Sequence, residues 1–330
     1  MKQDKLEIDN MKKTISPTLR LTWSCSLILL MTSCASQKNL SEDRIGFESA
    51  DAAVSHVIEA MGANKVDAIE SCLGPDCQDI LSSGDPIADQ NGRAMFVKQF
   101  NAMHKIAMRD LDTAILHVGS EDWPLPIPIV RQGEAWYFDT EAGREEVINR
   151  RVGRQELDAI QVCLALSDAQ REYSRVDWDG DGVYVYAQKL RSTDGMKDGL
   201  SWKTGVGERP SPMGEFAAEA EAEGYDTSAK ADIRPYHGYY FRLLNAQGEN
   251  AMGGAYSYMA NDLMIGGFAV IAWPANYGVT GVKSFLVNHE GVVFECDLGD
   301  DTAAEAAVTT AFNPDSNWTE VDAPDLEPLN

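Results

Sequence analysis

The sequence predicts an α+β protein, in which a helical and mixed N-terminal part precedes a C-terminal antiparallel β-meander. Residues 47–74 repeat apolar side chains at the three-to-four residue spacing of helices with one buried face. Residues 113–140 contain β-branched and aromatic runs that are broken by turn residues. Residues 238–296 contain four short apolar runs separated by Gly, Asn and Pro, which is typical of consecutive antiparallel strands.

The N-terminal segment has the features of a secretory signal. A basic start at Met11-Lys12-Lys13 precedes an apolar stretch from Leu21 to Met31. This stretch is about 11 residues long, whereas a bilayer span needs roughly 20. Small residues then precede Cys34 in a pattern that resembles bacterial lipoprotein signals, in which the cysteine receives the lipid. We therefore expect residues 1–33 to be a signal peptide and residues 34–46 to be a tether.

This signal predicts an exported protein that is held in the bacterial envelope through a lipid such as palmitate on Cys34. Ala35 follows the cysteine, where an Asp would favour inner-membrane retention, so we expect the outer membrane, with the protein facing the periplasm. Two alternatives stay open at this stage. The segment could be a plain secretory signal without lipid, or a short anchor that is never cleaved.

The charge balance disfavours a nucleic-acid partner. The chain has 52 Asp and Glu against 28 Lys and Arg, a formal net charge of −24. Phosphate contacts need clustered Lys and Arg. The expected partners are therefore the membrane, through the lipid, and another envelope protein.

Cysteine placement agrees with export. Cys72 and Cys77 flank a Gly-Pro turn that brings the chain back on itself, so a local disulfide between them is predicted in an oxidising compartment. The alternative is two separate thiols. Cys163 and Cys296 lie in apolar contexts and are either buried or paired with each other across the two domains.

The N-terminal domain is predicted to span residues 47–175. Its first two helices begin behind a cap at Ser49, and a third runs from about Asn91 to Ala107. A hairpin follows around Arg131–Gly133. The domain ends in a helix that covers residues 142–175.

The rest of the chain divides into three predicted parts. Residues 176–235 form an Asp-Gly loop, a short strand "VYVYA" and a connector rich in Gly, Pro and Glu. Residues 236–318 form the antiparallel β domain, with a helix from about Thr302 to Ala311. Residues 319–330 form an acidic tail.

The stretch "VDWDGDGVYVYAQ" predicts a candidate calcium loop. Its acidic residues occupy positions 1, 3 and 5 of an EF-hand loop, with Gly182 at position 6. Position 12 is Gln188 instead of the bidentate Glu, and a strand follows where a helix should begin, so a true EF-hand is rejected. A looser calcium site remains a hypothesis, with a solvated Asp-Gly turn as the alternative. Its ligands would be Asp177, Asp179, Asp181 and the carbonyl oxygen of Val183.

Other candidate sites are weaker. Positive charge concentrates at Arg144, Arg150, Arg151 and Arg154, where pairing with nearby Glu and Asp is favoured over an anion-binding face. The five histidines show no paired metal spacing, and nucleophile signatures are absent. An aromatic surface at the entry to the β domain is a candidate binding surface if exposed and a core anchor if buried. Its members would be His237, Tyr239, Trp273 and Tyr277.

Several long motifs carry a resemblance to a known family. "QREYSRVDWDGDGVYVYAQKLRSTDGMKDGLSW", "PYHGYYFRLLNAQG", "MIGGFAVIAWPANYGVTGVKSFLVNHEGVVFECDLG" and "FNPDSNW" resemble the bacterial exported-protein family catalogued as domain-of-unknown-function family 2950. The resemblance runs from about Phe47 to Trp318. It implies an exported bacterial protein and carries no established activity, so it assigns no catalytic residues.

These observations together predict a non-enzymatic binding or envelope-assembly module. The first alternative is a metal-assisted envelope hydrolase that uses the acidic loop, and the second is a purely structural envelope protein. A pocket of convergent acids around His237 would favour the enzyme, whereas an exposed aromatic patch would favour the binding module.

Overall fold

The computed structural model describes residues 39–40, 43–228 and 234–321. The predicted signal peptide, Cys34 and residues 322–330 of the predicted tail lie outside these ranges. The helices are α1 (Ala50–Gly62), α2 (Val66–Leu73), α3 (Gln78–Leu81), α4 (Pro86–Ala102), α5 (Thr140–Tyr173), α6 (Gly214–Glu223) and α7 (Thr302–Val308).

The strands form two larger antiparallel sheets and two short two-stranded ribbons. The N-terminal strands are β1 (His104–Met108), β2 (Thr113–Val118), β3 (Trp123–Pro124), β4 (Ile129–Gln132) and β5 (Ala135–Phe138). The C-terminal strands are β6 (Tyr239–Leu244), β7 (Ala246–Gln247), β8 (Tyr256–Ser257), β9 (Met259–Ala260), β10 (Leu263–Met264), β11 (Ala269–Pro274), β12 (Lys283–Asn288), β13 (Val293–Asp297) and β14 (Thr319–Glu320).

The N-terminal part packs α1 and α2 against the first sheet, whose order is β1-β2-β4-β5 with β3 beside β2. The Ser49 side chain accepts a hydrogen bond from the Ala52 N–H, which confirms the predicted cap. The predicted third helix was misplaced. It begins at Pro86, behind the N-cap Asp85, and ends at Ala102, so that His104–Met108 forms β1 instead of a last helical turn.

Helix α5 is a 34-residue element that belongs to both halves of the molecule. Asp139 caps its start, and its N-terminal portion contacts α3. Its C-terminal portion lies on β11, β12 and β13. There, Cys163 and Leu166 pack with Phe285 in the core between helix and sheet. One helix therefore connects the N-terminal layer to the C-terminal sheet.

The C-terminal sheet has the order β14-β13-β12-β11-β6, and its neighbours are all antiparallel, as the meander prediction requires. One face packs on α5, and the other packs on α7 and the segment of β7 to β10. Thr319 and Glu320, which the sequence placed in the tail, pair with β13 as the edge strand. The protein has the α+β fold predicted from its sequence.

The predicted strand "VYVYA" is not formed. Residues 183–187 have no ladder partner among the described residues, because side chains and single carbonyls satisfy their backbone instead. The Ala187 N–H donates to the Gln170 side chain, and the Tyr186 N–H donates to the Met264 carbonyl. Val185 and Tyr186 still pack into the two cores on either side, so the alternation in sequence reports burial without a strand.

Candidate functional site

A groove of about 810 Å³ lies between the loop of residues 191–204 and helix α6. Thr227 and Ser228 line it as well, just beyond the end of the helix. Ligand sites in proteins are typically clefts of roughly 300–1,000 Å³, so the volume suits a small molecule or a short chain segment. Within the described part of the chain, none of the residues named as candidate sites from the sequence lines this groove.

The loop wall is held in shape by a local carboxylate. Asp198 accepts hydrogen bonds from the Lys189 ammonium at 2.6 Å and from the Thr193 N–H at 2.8 Å. Partial burial opposes ionisation, but these hydrogen bonds outweigh it and lower the pKa of Asp198 to about 2. The Ser192 N–H donates to the Ser201 carbonyl and the Ser201 N–H donates to the Leu190 carbonyl, and these two hydrogen bonds close the base of the same loop. The loop is therefore fixed at both its base and its tip.

Trp202 forms the aromatic part of this wall. Its ring packs edge-on against Trp178, with 4.8 Å between ring centroids, and the Lys197 ammonium lies 5.9 Å from its centroid. The indole N–H of Trp202 is buried without an acceptor in the described part of the chain. The wall thus combines an aromatic ring with a positive charge.

Helix α6 supplies the opposite wall. Small residues face the groove at Gly214, Ala217 and Ala218, and carboxylates stand beside them at Glu215 and Glu221. The helix ends at Gly224, whose left-handed backbone (φ 104°) terminates it without the steric cost of a side chain. Small side chains on this face keep the groove open.

The far end of α6 is anchored by a buried carboxylate. Asp85 is 1% exposed and caps α4 by accepting from the Ile87 and Ala88 N–H groups. Its second oxygen accepts from the Tyr225 hydroxyl at 2.8 Å and from the Gly238 N–H at 3.1 Å. Residues about 140 and 153 positions away in the sequence therefore meet at one carboxylate. No sequence motif indicates this contact.

His237 lies beside this carboxylate and bridges two more. Its Nδ1 is 3.2 Å from an oxygen of Asp158 on α5, and its Nε2 is 2.8 Å from an oxygen of Glu223 on α6. Burial opposes the charged form, but the hydrogen bonds and charges of the two carboxylates outweigh it and raise the pKa of His237. Because both ring nitrogens face acceptors, the imidazolium is the form that satisfies both contacts.

The four residues predicted as one aromatic surface lie in separate places. Tyr239 is fully buried against α5, and its hydroxyl donates to the Lys283 carbonyl, so it belongs to the core and to no surface. Trp273 lies on the opposite face of the sheet, where it stacks on Tyr240 with centroids 5.5 Å apart. The Tyr277 hydroxyl donates to Asp297 at the end of β13. Side chains alternate between faces along a strand, which separates Tyr239 from Trp273.

The carboxylates of the acidic loop accept hydrogen bonds from backbone N–H groups of the same loop. The two carboxylate oxygens of Asp177 accept hydrogen bonds from the N–H groups of Gly182 and Gly180, and these bonds lower the pKa of Asp177. Oxygens of Asp177, Asp179 and Asp181 all lie within 4.8 Å of one another, so the three could share one cation. Gln188, at the position of the last EF-hand ligand, donates a hydrogen bond from its side-chain amide to the carbonyl of Asp262. The calcium hypothesis stays a prediction.

The arginine cluster forms intramolecular contacts, as favoured from the sequence. Arg144 pairs with Asp79 and Glu141, and Arg150 pairs with Glu146. Arg151 donates to the carbonyls of Asp79 and Ile80, and Arg150 also donates to the carbonyl of Pro124. These guanidinium groups tie α5 to the N-terminal part.

The four cysteines within the described residues are buried and carry free thiols. Burial is the main cause that raises the pKa of Cys72 and Cys77 to about 11. The predicted disulfide between these two residues is not formed in the structure, and it stays a prediction for an oxidising compartment. Cys163 and Cys296 likewise form no disulfide within the described part of the chain.

Across residues 39–40, 43–228 and 234–321, no helix has both the length and the apolar character that a bilayer span requires.

Comparison with known families identifies the chain. A family model described as a protein of unknown function, DUF2950, matches residues 44–321. No curated protein and no solved structure matches the chain. The protein therefore belongs to the DUF2950 family, which confirms the resemblance found in its motifs.

Proposed function

We propose that this protein is a non-enzymatic binding module of the bacterial envelope, tethered by a lipid on Cys34, with its ligand site in the groove between residues 191–204 and α6. The observation that carries the proposal is the groove itself, which combines an aromatic ring, several charged groups and a helical wall of small residues. The signal-like N-terminus supports the envelope location.

The arrangement around His237 argues against the hydrolase alternative. A general base needs a free ring nitrogen within reach of its substrate. Both nitrogens of His237 are engaged by carboxylates of the protein, and the Asp177 loop belongs to a separate acidic cluster that contains no histidine among the described residues. The acidic loop could hold calcium as a structural ion without giving the protein an activity.

Blocking the groove tests the binding site. Ala218→Trp should fill it, whereas Ala222→Trp places the same side chain at an exposed position of α6 outside the groove. Soluble fragments released by enzymatic digestion of isolated bacterial envelopes serve as the probe. They should raise the melting temperature of the wild type and of Ala222→Trp and leave Ala218→Trp unchanged. Equal shifts in all three proteins would place binding elsewhere.

The anchor is tested separately. Cys34→Ala should move the protein from the membrane fraction to the soluble fraction of lysed cells, because the acylated side chain is removed. Cys25→Ala, inside the apolar segment, is the matched control and should leave fractionation unchanged. Membrane association of Cys34→Ala at the wild-type level would count against a lipid anchor.

A further inference from the structure

We propose that His237 and Glu223 form a pH-sensitive latch, which holds the helical wall of the groove in place while the imidazole is protonated and releases it when the proton is lost. The inference rests on the proposed function, because it takes the groove between residues 191–204 and α6 as the ligand site. It adds the regulation of that site.

The latch lies at the end of the helix that lines the groove. Glu221 lines the groove from within α6, and Thr227 and Ser228 line it just beyond the helix. Glu223 stands between them in the chain, and its Oε2 is 2.8 Å from Nε2 of His237. A change in this one contact therefore acts on groove-lining residues on both sides of it.

Helix α6 has little apolar attachment to the rest of the fold. Of its ten residues only Ala220 is buried, and Phe216 is a partly buried ring that packs on Tyr236 with 5.1 Å between ring centroids. The Asn91 side chain adds an exposed hydrogen bond to the carbonyl of Glu223. Because so little apolar area is buried, the charged contact is a major part of what holds this end of the helix.

Gly224 separates the latch from a fixed anchor. Tyr225 and Asp85 are both buried, and the tyrosine hydroxyl donates to the carboxylate at 2.8 Å. Gly224 stands between Glu223 and Tyr225, has a left-handed backbone (φ 104°) and carries no Cβ, so it can absorb a change in chain direction. The end of the helix can therefore move while the anchor stays in place.

The titratable groups around the imidazole come from α4, α5, α6 and the chain next to it. They are Asp85, Asp158, Glu219, Glu223, Tyr225 and Tyr236. Burial first, and then the charges of these four carboxylates, raise the pKa of Tyr236, whose ring stacks on His237 with centroids 4.2 Å apart. In this set, the proton on His237 supplies the positive charge that faces the carboxylates.

Loss of this proton affects the two carboxylate contacts of His237 unequally. A neutral imidazole has one N–H, so only one carboxylate keeps its hydrogen bond and the other faces a lone pair. The side chain of Asp158 is 15% exposed and that of Glu223 is 37% exposed. Water replaces the lost partner more readily at the more exposed carboxylate, so we expect the N–H to stay with Asp158 and the contact to Glu223 to break.

The direction of the pH effect follows from the same contacts. Burial opposes the charged imidazole, but the two carboxylates outweigh it, so folding raises the pKa of His237. The latch is therefore complete below the unfolded value near 6.5 and is released as pH rises through the folded value.

Hydrogen exchange of the mature chain, followed by mass spectrometry, tests the latch without a ligand. After correction for the intrinsic pH dependence of exchange, the protection of the α6 amides should fall about tenfold from pH 6 to pH 9, because the helix end opens more often. The amides of α7, on the far face of the C-terminal sheet, are the internal reference and should keep their protection. A fall in α6 no larger than that in α7 would overturn the proposal.

Two glutamate variants locate the effect. Glu223→Gln places an amide beside His237 that can accept from the charged ring or donate to the neutral one, so the protection of α6 should no longer depend on pH. Glu219→Gln removes the same charge one helical turn earlier, at an exposed position, and should keep the wild-type pH dependence. Equal pH dependence in the two variants would overturn the assignment of the latch to Glu223.

The envelope digest separates regulation from binding. It should raise the melting temperature of the wild type more at pH 6 than at pH 9, because an ordered wall binds without the cost of ordering it, and the two shifts should be equal in Glu223→Gln. Equal shifts in the wild type would overturn the regulation and leave the binding function standing. If the digest causes no shift at either pH while the exchange of α6 follows pH, the latch stands and the binding function fails.

Discussion

Two sets of carboxylates in this protein show how differently local and distant contacts are encoded. Asp177, Asp179 and Asp181 follow one another in a single loop, are half-buried or exposed, and accept hydrogen bonds mainly from amides within the same few residues. Asp85 is almost fully buried and receives donors from three separate parts of the chain.

The difference follows from solvation. Water and nearby amides satisfy the loop carboxylates, so the loop can form without reference to the rest of the fold. A buried carboxylate needs partners from the protein, so the Asp85 contact forms only when α4, the end of α6 and the start of β6 are in place. We infer that the acidic loop contributes little to the free energy of unfolding, although its sequence motif is easy to recognise. Asp85, which no motif marks, contributes much more.

The largest expected effect is that of Asp85. Asp85→Ala removes the cap of α4 and leaves the Tyr225 hydroxyl and the Gly238 N–H buried without an acceptor. A lost cap costs about 1 kcal/mol and each of the two buried unsatisfied donors about 1–3 kcal/mol, so we expect a loss of about 3–7 kcal/mol in the free energy of unfolding. Urea denaturation of the mature chain measures this loss.

Two companions of Asp85→Ala separate its contributions. Asp85→Asn keeps one oxygen for the cap but opposes Tyr225 and Gly238 with an NH₂ group, so it should recover only about 1 kcal/mol. Ser49→Ala removes a cap alone, at α1, and should cost about 1 kcal/mol. If Asp85→Ala lowers the free energy of unfolding no more than Ser49→Ala does, the contacts of the buried Asp85 carboxylate beyond the cap do not stabilise the fold as inferred.

His237 should give a pH-dependent effect of intermediate size. The ring faces Asp158 and Glu223 directly, with Tyr225, Tyr236 and Asp85 around it. Its pKa is raised by folding, so its contribution is complete below the unfolded value near 6.5 and is lost as pH rises through the folded value. His237→Asn keeps a residue that tolerates the left-handed backbone at this position (φ 48°).

We therefore expect His237→Asn to cost about 1–3 kcal/mol below pH 6.5 and less above it, because removing one partner of a partly buried ion pair is costly only while the pair exists. Thermal melts from pH 5 to 9 measure the difference from wild type. His56→Asn removes an exposed imidazole from α1 and is the control for the loss of a histidine at an exposed position. If the difference in melting temperature between His237→Asn and the wild type is constant from pH 5 to 9, the imidazole ring acts by packing alone.

The secondary-structure elements with a periodic burial pattern could be predicted from the sequence. The first two helices, the α5 helix, the hairpin at Gly133 and the C-terminal meander all repeat a burial pattern along the chain, and the structure contains each of them. Helix α4 was misplaced because it has no buried residue, so no apolar face marked its limits. Its start did carry a signal in Asp85-Pro86, a cap residue followed by a proline at the first helical position.

The sites could not be predicted in the same way. Alternation along β6 and β11 indicates two faces but does not say which one is covered, and so Tyr239 was grouped with Trp273. The groove depends on how the connector folds onto the molecule. Its charged residues are spread over residues 191–221, and nothing in their spacing shows that they line two facing walls.

The smallest expected effect is that of the acidic loop. Asp179→Asn removes one carboxylate of an exposed cluster whose hydrogen bonds are local, so the melting temperature without calcium should change by less than about 2 °C. Removing a like charge also relieves repulsion from its neighbours, which offsets the lost hydrogen bond. This outcome, beside a large effect at Asp85, would confirm the contrast between the two sets.

Calcium addition then decides what the loop does. If the three carboxylates bind the ion, millimolar calcium should raise the melting temperature of the wild type, and the shift should be reduced in Asp179→Asn because a ligand and a negative charge are lost. Glu290→Gln removes an exposed carboxylate outside this cluster and controls for nonspecific binding to an acidic surface. Shifts of equal size in all three proteins would mean that the loop holds no calcium ion and that "DWDGDG" is a solvated turn.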